Sequence, residues 1–367
     1  MCRVLAERGF TVTLVAPEPF EDNLVQPSSW NRKIESASRV KRIVLALRAA
    51  LAAKADIYHF HDPELIPLGF ALKLLRPSAV VIYDVHEDYP SMMRVKYWIP
   101  IALRPMVAEA AYMANAAAGL LLDGIVTADP SVLKDFERTA GKKAIVQYNF
   151  PKTSMFTAPS KKLSAPVADL VYIGGMSDRA GTFVLLDALA LLVERGLKVS
   201  ARLAGYTDGE AGRSAIRARI QSLGLTEQVE FCGRIPHSEV PAWIRSGRIG
   251  LVTLQPIDKF LKNIPTKMFE YWACGLPVIA SDLPPIREFL QDETNGLLFN
   301  PRSPEDLARA IRRLVESPRE CHRMGTNGQT QVFESWNNDR QIDTLVNFYA
   351  QLGNRAKNRM AASGISA

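Results

Sequence analysis

Short apolar runs rich in β-branched residues alternate with longer helical stretches from one end of this 367-residue chain to the other. That alternation is the pattern of a parallel sheet covered by helices. The runs read as strands at Thr11–Ala16, Ile57–His59, Val80–Asp84, Gly124–Ala128 and Ile145–Tyr148, and again at Leu170–Ile173, Ser200–Ala204, Val229–Cys232, Ile249–Thr253, Pro277–Ala280 and Leu297–Phe299. Between the two series, residues 151–168 combine Pro, Ser, Lys and Thr without apolar periodicity, which marks a linker. A chain of this length exceeds what a single core supports, so two α/β domains are expected, over residues 1–150 and 169–335. A helix over 336–352 should pack back toward the first domain, ahead of a disordered tail over 353–367. In such doubly wound sheets the ligand lies beyond the carboxyl ends of the strands, here in a cleft between the domains.

The chain opens inside a βαβ unit. Met1 to Arg8 reads as the second half of a helix stopped by Gly9 and followed at once by a strand. A central first strand is therefore expected to be missing, through a late-assigned start or a truncation. A domain that simply begins with a helix is the alternative.

Composition narrows the function classes. Four cysteines (Cys2, Cys232, Cys274, Cys321) without a CxxC pair, and five histidines, suggest neither a disulfide framework nor a zinc site, and fit a cytoplasmic setting. No two aspartates stand as Asp-x-Asp, so no diphosphate-bound divalent metal is expected. Neither a GxSxG elbow nor a GxxxxGK[ST] loop is present. The most apolar window, 106–128, is interrupted by Glu109, Asn115 and Asp123 and reads as a core helix running into a strand, not a membrane span. The net charge of +7 favours a polyanion or an anionic membrane surface as a peripheral partner, though an evenly mixed solvated surface explains it as well. No nucleic-acid motif accompanies it.

The segment TKMFEYWACGLPVIASD, residues 266–282, carries the most chemistry. Lys267 to Ala273 has helical character, Gly275 can end the helix, and Pro277 to Ala280 is a buried strand. A helix starting near Thr266 turns its free N–H groups and positive dipole end toward the ligand side, making an anion site. Glu270, one turn in, either accepts hydroxyl hydrogen bonds from a ribose or merely complements the helix dipole.

The same segment resembles the nucleotide-binding motif of the retaining glycosyltransferases of family 4, or group 1, with the fold termed GT-B. ADIYHFHDPELIPLG (55–69), VIYDVHEDYP (81–90) and DLVYIGGMSDRAG (169–181) agree with it in the expected order, over nearly the whole chain. The resemblance implies two Rossmann-like domains facing across a cleft and a nucleotide-diphosphate sugar, most often UDP-linked, as co-substrate, with no cofactor. It implies transfer to a hydroxyl of a growing surface polysaccharide or lipid-linked glycan at the inner face of the membrane. Donor contacts fall on Gly174, Gly175, Arg234, Thr266, Met268 and Glu270, with Glu270 on the ribose. Catalytic roles fall on His86 near the reacting sugar and on Arg179 and Lys267 at the departing diphosphate. The chain departs from the family at three positions: the first Glu of the family's Glu pair is Lys262, the cation before the glycine of its KG or RG element is Ala180, and an Arg some members carry is Gly175. A non-catalytic nucleotide-sugar-binding subunit and a sugar-nucleotide epimerase of the same architecture are the rival functions.

On the first-domain side, His86 lies in Asp84-Val85-His86-Glu87-Asp88, a polar cluster at a strand's carboxyl end. His59, His61, Asp62 and Glu64 form a second cluster. Either they line the acceptor side, or Asp62 and Pro63 simply start a helix as N-cap and first helical residue. His237 and His322 read as surface residues.

Overall fold

The computed structural model describes residues 1–16, 25–27, 38–96, 99–157 and 166–363. The middle of the expected linker, 158–165, and residues 364–367 of the expected tail lie outside the described residues. Apart from short 3-10 turns, the elements begin with α1 (Cys2–Glu7), β1 (Thr13–Leu14), β2 (Gln26–Pro27), α2 (Arg39–Ala53), β3 (Ile57–His61), α3 (Ile66–Leu75) and β4 (Val80–Val85). Next come α4 (Tyr89–Val95), α5 (Arg104–Leu121), β5 (Gly124–Thr127), α6 (Pro130–Leu133), β6 (Ala144–Val146), β7 (Ala168–Met176), α7 (Thr182–Glu194), β8 (Ala201–Thr207) and α8 (Gly209–Ser222). The series closes with β9 (Val229–Gly233), α9 (Val240–Ile244), β10 (Gly247–Val252), α10 (Thr266–Ala273), β11 (Val278–Ser281), α11 (Pro284–Arg287), β12 (Gly296–Phe299), α12 (Pro304–Glu316), α13 (Pro318–Glu334) and α14 (Asn338–Ser363). The chain divides into two compact units, Met1–Asn149 with Asp339–Ala367, and Phe150–Asn338.

In the first unit β3, β4, β5 and β6 form a parallel sheet in that order, while β1 and β2 pair only with each other. Side chains of a strand alternate between the two faces of its sheet. Val81, Tyr83 and Val85 of β4 therefore meet Phe60, Leu72 and Phe136 in one core. Val80 and Ile82 meet Phe348, Tyr349 and Leu352 of α14, with Val4 and Leu5 of α1, in another. Apolar residues of α14 recur every three or four positions, at Ile342, Leu345, Phe348, Leu352 and Ala356, and line one helical face. Burial of Ala356 carries the helix past the point where the polar sequence suggested a tail. Residues 353–363 are helical, which corrects that expectation. Helix α5 is only half a core helix: Ala108, Asn115 and Ala118 are buried, but Met106, Met113 and Leu120 are exposed.

In the second unit six parallel strands run in the order β12-β11-β10-β7-β8-β9. Leu170 and Tyr172 of β7, Leu203 of β8 and Leu251 of β10 pack with Leu185, Leu189 and Leu192 of α7 and with Leu307 and Ile311 of α12. Each such buried side chain contributes about 1.5–3 kcal/mol of apolar transfer energy. The chain builds outward from β7 through β8 to β9, then returns to lay β10 along the other side of β7. The order thus reverses between β7 and β10, and at such a reversal the carboxyl ends of neighbouring strands lead into loops on opposite sides, opening a crevice.

Candidate functional site

Helix α10 starts at that crevice, and its eight residues sort by face. Met268, Phe269, Tyr271 and Trp272 are buried. Phe269 and Trp272 belong to an aromatic group with Phe150, Phe289 and Trp336, whose contacting rings lie 4.7 to 5.8 Å apart. The Trp272 indole N–H donates to the Asn295 carbonyl at 2.7 Å. The Tyr271 hydroxyl receives the Ile173 N–H at 2.9 Å and donates to the Leu251 carbonyl at 3.3 Å, so it ties β7 to β10 where the two part. Anchored this way, α10 keeps Thr266, Lys267 and Glu270 off the core. No side chain caps its first turn, and the first N–H groups of a helix have no intrahelical acceptor.

Lys267 reaches back over β7. Its Nζ lies 4.0 Å from the centroid of the Tyr172 ring and 3.5 Å from where a Cβ on Gly174 would stand, so a side chain at 174 would crowd the amine. Tyr172 is held in turn by a hydroxyl bond to the Gly175 carbonyl at 2.5 Å. Removal from water pushes the Lys267 ammonium down to about 7, against the opposing pull of Glu270. Burial likewise pushes the Glu270 carboxyl up, opposed by the charges of His237 and Lys267. A desolvated amine over an aromatic face, beside a glycine and an uncapped helix start, is suited to an anion that restores its charge.

The loop from Ser177 to Gly181 closes over the same strand ends. The Gly181 N–H donates to the Asp178 carbonyl at 2.8 Å, the Thr182 N–H to the Ser177 carbonyl at 3.2 Å, and the Gln255 N–H to the Arg179 carbonyl at 3.0 Å. The Thr253 hydroxyl donates to the Ala180 carbonyl at 2.8 Å. Gly181 has φ 73°, and the Thr253 carbonyl oxygen lies 1.7 Å from where its Cβ would be, so no other residue fits. Arg179 itself is two-thirds exposed and paired loosely with Asp208 at 3.7 Å. Arg234 lies over the Tyr206 ring, 5.7 Å from its centroid, and a Cβ on Gly175 would stand 3.0 Å from that ring. Met268 is corrected: its side chain is wholly buried, and its N–H donates to the Pro265 carbonyl at 3.1 Å, so it has nothing to offer a donor. Tyr172, Tyr206 and Tyr271 escaped sequence reasoning, because a strand or helix tyrosine reads as core. His237 is exposed as expected, yet its charge acts on Glu270.

In the first unit His59 and His61 project from the same face of β3, and register sets them beside Ile82 and Asp84 of β4. His59 Nε2 lies 3.0 Å from Asp84 Oδ2 and His61 Nδ1 3.3 Å from it. His86 Nε2 lies 2.7 Å from His61 Nδ1 and 3.8 Å from Asp84 Oδ2. The other ring nitrogen of His59, Nδ1, meets the Tyr349 hydroxyl of α14 at 2.6 Å. Desolvation lowers His61 to about 4. Burial pushes Asp84 up, but the His59 hydrogen bond and the neighbouring imidazoles more than offset it and hold the carboxyl below its usual range. The two sequence clusters are thus one cluster. Asp62 and Pro63 do start a helix, a 3-10 turn over Pro63–Leu65 with Asp62 at the N-cap position, but at φ 71° the Asp62 side chain makes no cap bond and instead accepts the Tyr89 hydroxyl at 3.0 Å. His59, His61 and Asp84 each offer a metal-ligand atom, all within 4.8 Å of one another.

Residues 158–331 match the family described as glycosyl transferases group 1. The segment contains β7 through β12 with Gly174, Gly175, Arg179, Arg234, Thr266, Lys267 and Glu270. Among curated proteins, the chain is similar to alpha-D-kanosaminyltransferase of Streptomyces kanamyceticus, 23% identical over half of this chain and 46% of that protein. It is also similar to amylovoran biosynthesis glycosyltransferase AmsK of Erwinia amylovora, 25% identical over 40% of the chain and 36% of that protein. These matches span less than half the length of either relative. Over its whole length the fold is that of the GT-B glycosyltransferases. Sucrose-phosphate synthase from Thermosynechococcus elongatus superimposes with a TM-score of 0.70 at 19% identity, covering 98% of this chain and 92% of that one. HepE of Anabaena, solved in complex with UDP-glucose, superimposes at 0.61 with 15% identity, covering 92% and 85%. Among the described residues no helix is long and apolar enough to cross a membrane.

Proposed function

We propose that this chain is a family 4 glycosyltransferase that moves a sugar from a nucleoside-diphosphate donor, of the UDP type, to an acceptor hydroxyl with retained anomeric configuration. The observation that carries the reading is the desolvated Lys267 amine at the strand-order reversal, beside Gly174 and the open start of α10, with Glu270 one turn further on. In the reaction the bond from the anomeric carbon to the diphosphate oxygen breaks and a bond to the acceptor oxygen forms. The hydroxyl proton leaves to the diphosphate or to solvent. Charge grows on the departing diphosphate, and Lys267 with the helix N–H groups stands where that charge develops. Arg179 is a second cation for it. Glu270 accepts the ribose hydroxyls, and Arg234, braced on Tyr206, serves the donor from the β9 end. His86 contacts the sugar. Cations and N–H groups hold the diphosphate in place of a divalent metal.

The UDP assignment draws support from HepE, and a surface polysaccharide or lipid-linked glycan as acceptor from AmsK. The net charge of +7 suits work in the cytoplasm against an anionic inner membrane face. A thermal-shift screen with UDP-, GDP- and ADP-sugars tests the donor, since a ligand that binds the folded state stabilises it. A transfer assay with lipid-linked acceptors follows. Stabilisation by none of the nucleotide sugars refutes the proposal. Binding without turnover on any acceptor identifies a non-catalytic subunit instead, and conversion of free donor to its epimer an epimerase.

A further inference from the structure

We propose that His59, His61 and Asp84 of the first unit, with His86 beside them, hold a divalent transition-metal ion of the zinc class, with one coordination position open to an oxygen ligand. The site goes beyond the donor chemistry of the second unit, and of its side chains His86 alone also enters the proposed transfer reaction.

Geometry is the first argument. Zinc bonds to imidazole nitrogen and carboxylate oxygen at about 2.0–2.2 Å in a tetrahedron, which sets neighbouring ligand atoms roughly 3.3 Å apart. Asp84 Oδ2 lies 3.0 Å from His59 Nε2 and 3.3 Å from His61 Nδ1, while His86 Nε2, 2.7 Å from His61 Nδ1, stands beside these three ligands and is not one of them. The strands generate this arrangement: His59 and His61 alternate onto one face of β3, and the parallel register delivers Asp84 opposite His61 on the same face of β4.

Charge is the second argument. The Asp84 side chain is 8% exposed, and among the described residues its ion-pair partners are imidazoles, not a lysine or arginine. A buried carboxylate is costly without a positive partner. The His59 N–H can donate to Asp84 Oδ2 at 3.0 Å, and one N–H can join His61 to His86 at 2.7 Å, but these bonds from neutral rings leave the buried carboxylate without a formal cation. A divalent cation would supply that charge. Mixed imidazole and carboxylate donors select zinc and its neighbours over magnesium or calcium.

The surrounding support is the third argument. A metal-bound histidine usually directs its other ring nitrogen to an oxygen that fixes the tautomer. His59 does so, placing Nε2 toward Asp84 while Nδ1 bonds the Tyr349 hydroxyl at 2.6 Å. His61 and His86 are 40% and 50% exposed, so solvent or a hydroxyl reaches the open side.

The test uses the full chain with any affinity tag removed. It is incubated separately with Zn²⁺, Co²⁺ and Mn²⁺, dialysed, and assayed for metal by mass spectrometry; the cobalt form is also read by visible absorption. The expected result is about one equivalent of zinc or cobalt, intense cobalt bands of a four-coordinate site, and a rise in melting temperature. His61→Ala and His86→Ala, at exposed positions, should keep a folded circular dichroism spectrum; His61→Ala should fall below a tenth of an equivalent. Less than a tenth of an equivalent in the unmodified chain, or full occupancy retained by the folded His61→Ala variant, overturns the proposal. None of these readouts uses donor or turnover, so failure here leaves the glycosyl-transfer reading standing, and the converse.

Discussion

Lys267 makes the proposed donor affinity a function of pH. Its ordinary value is 10.5 and the fold holds it at about 7, so above neutrality the unliganded protein carries a neutral amine. A diphosphate placed against that amine favours the ammonium, so binding at pH 8 or 9 must take up a proton. Linkage then gives a donor affinity that falls about tenfold per pH unit once the pH exceeds 7, roughly fiftyfold between pH 7 and pH 9. A sugar diphosphate diester does not itself titrate in this range, so the effect belongs to the protein. Titration calorimetry at pH 8.5, in two buffers of different ionisation enthalpy, should read uptake of nearly one proton. Lys267→Arg keeps its charge at every pH used and should flatten the dependence, whatever it does to the absolute affinity. The sign for the free fold is opposite to that of a paired lysine. The unfolded chain binds more protons between pH 7 and 10.5, so Lys267 makes the unliganded protein more stable as the pH rises through that window. A UDP-sugar affinity that changes less than twofold between pH 7 and 9 would refute the placement of the diphosphate on Lys267.

Three further outcomes are expected. Glu270→Ala should weaken donor binding by more than tenfold, at least about 1.4 kcal/mol, through loss of the ribose acceptor, and an unchanged calorimetric affinity removes that role. Trp272→Ala should cost about 3–5 kcal/mol in denaturant unfolding of the second unit, because it empties the aromatic group behind α10 and orphans the Asn295 carbonyl; a loss under 1 kcal/mol would mean the group does not anchor the helix. Gly181→Ala should cost more than about 1 kcal/mol and lower donor affinity as well, since the new Cβ falls on the Thr253 carbonyl and must displace the loop; unaltered unfolding and binding would contradict the close approach.

The strands were legible because parallel strands buried on both faces read as continuous apolar runs, as in VVIYDV of β4 and GRIGLV of β10. Where that condition fails the reading weakens. Thr11–Ala16 shrinks to Thr13–Leu14, and its partner Gln26–Pro27 has no apolar run to find. The C-terminal helix was expected over 336–352, but its continuation to Ser363 was missed for the opposite reason, since its polar average hides a single buried stripe that runs on through Leu352 to Ala356. At the site, the helix beginning at Thr266 and its stop near Gly275 follow from local chemistry and were readable. Sorting Met268 from Lys267 was not, because adjacent residues of a helix differ only by which face meets the aromatic group. The histidines could be named but not assembled: His59, His61, Asp84 and His86 meet through strand register, a long-range property absent from any window of sequence.

The position of α14 also bears on the order in which the chain acquires structure during synthesis. The second unit is one continuous stretch, Phe150–Asn338, and has all its strands once that stretch leaves the ribosome. The first unit is different. One face of its sheet, with Val80, Ile82 and Val126, is covered by α14, which follows the second unit in the sequence. Those residues are translated early and must wait, their apolar face uncovered, while the whole second unit emerges. The unit that begins first is therefore the one that finishes last, and the interval is a window in which a chaperone or a neighbouring nascent chain meets an unfinished core.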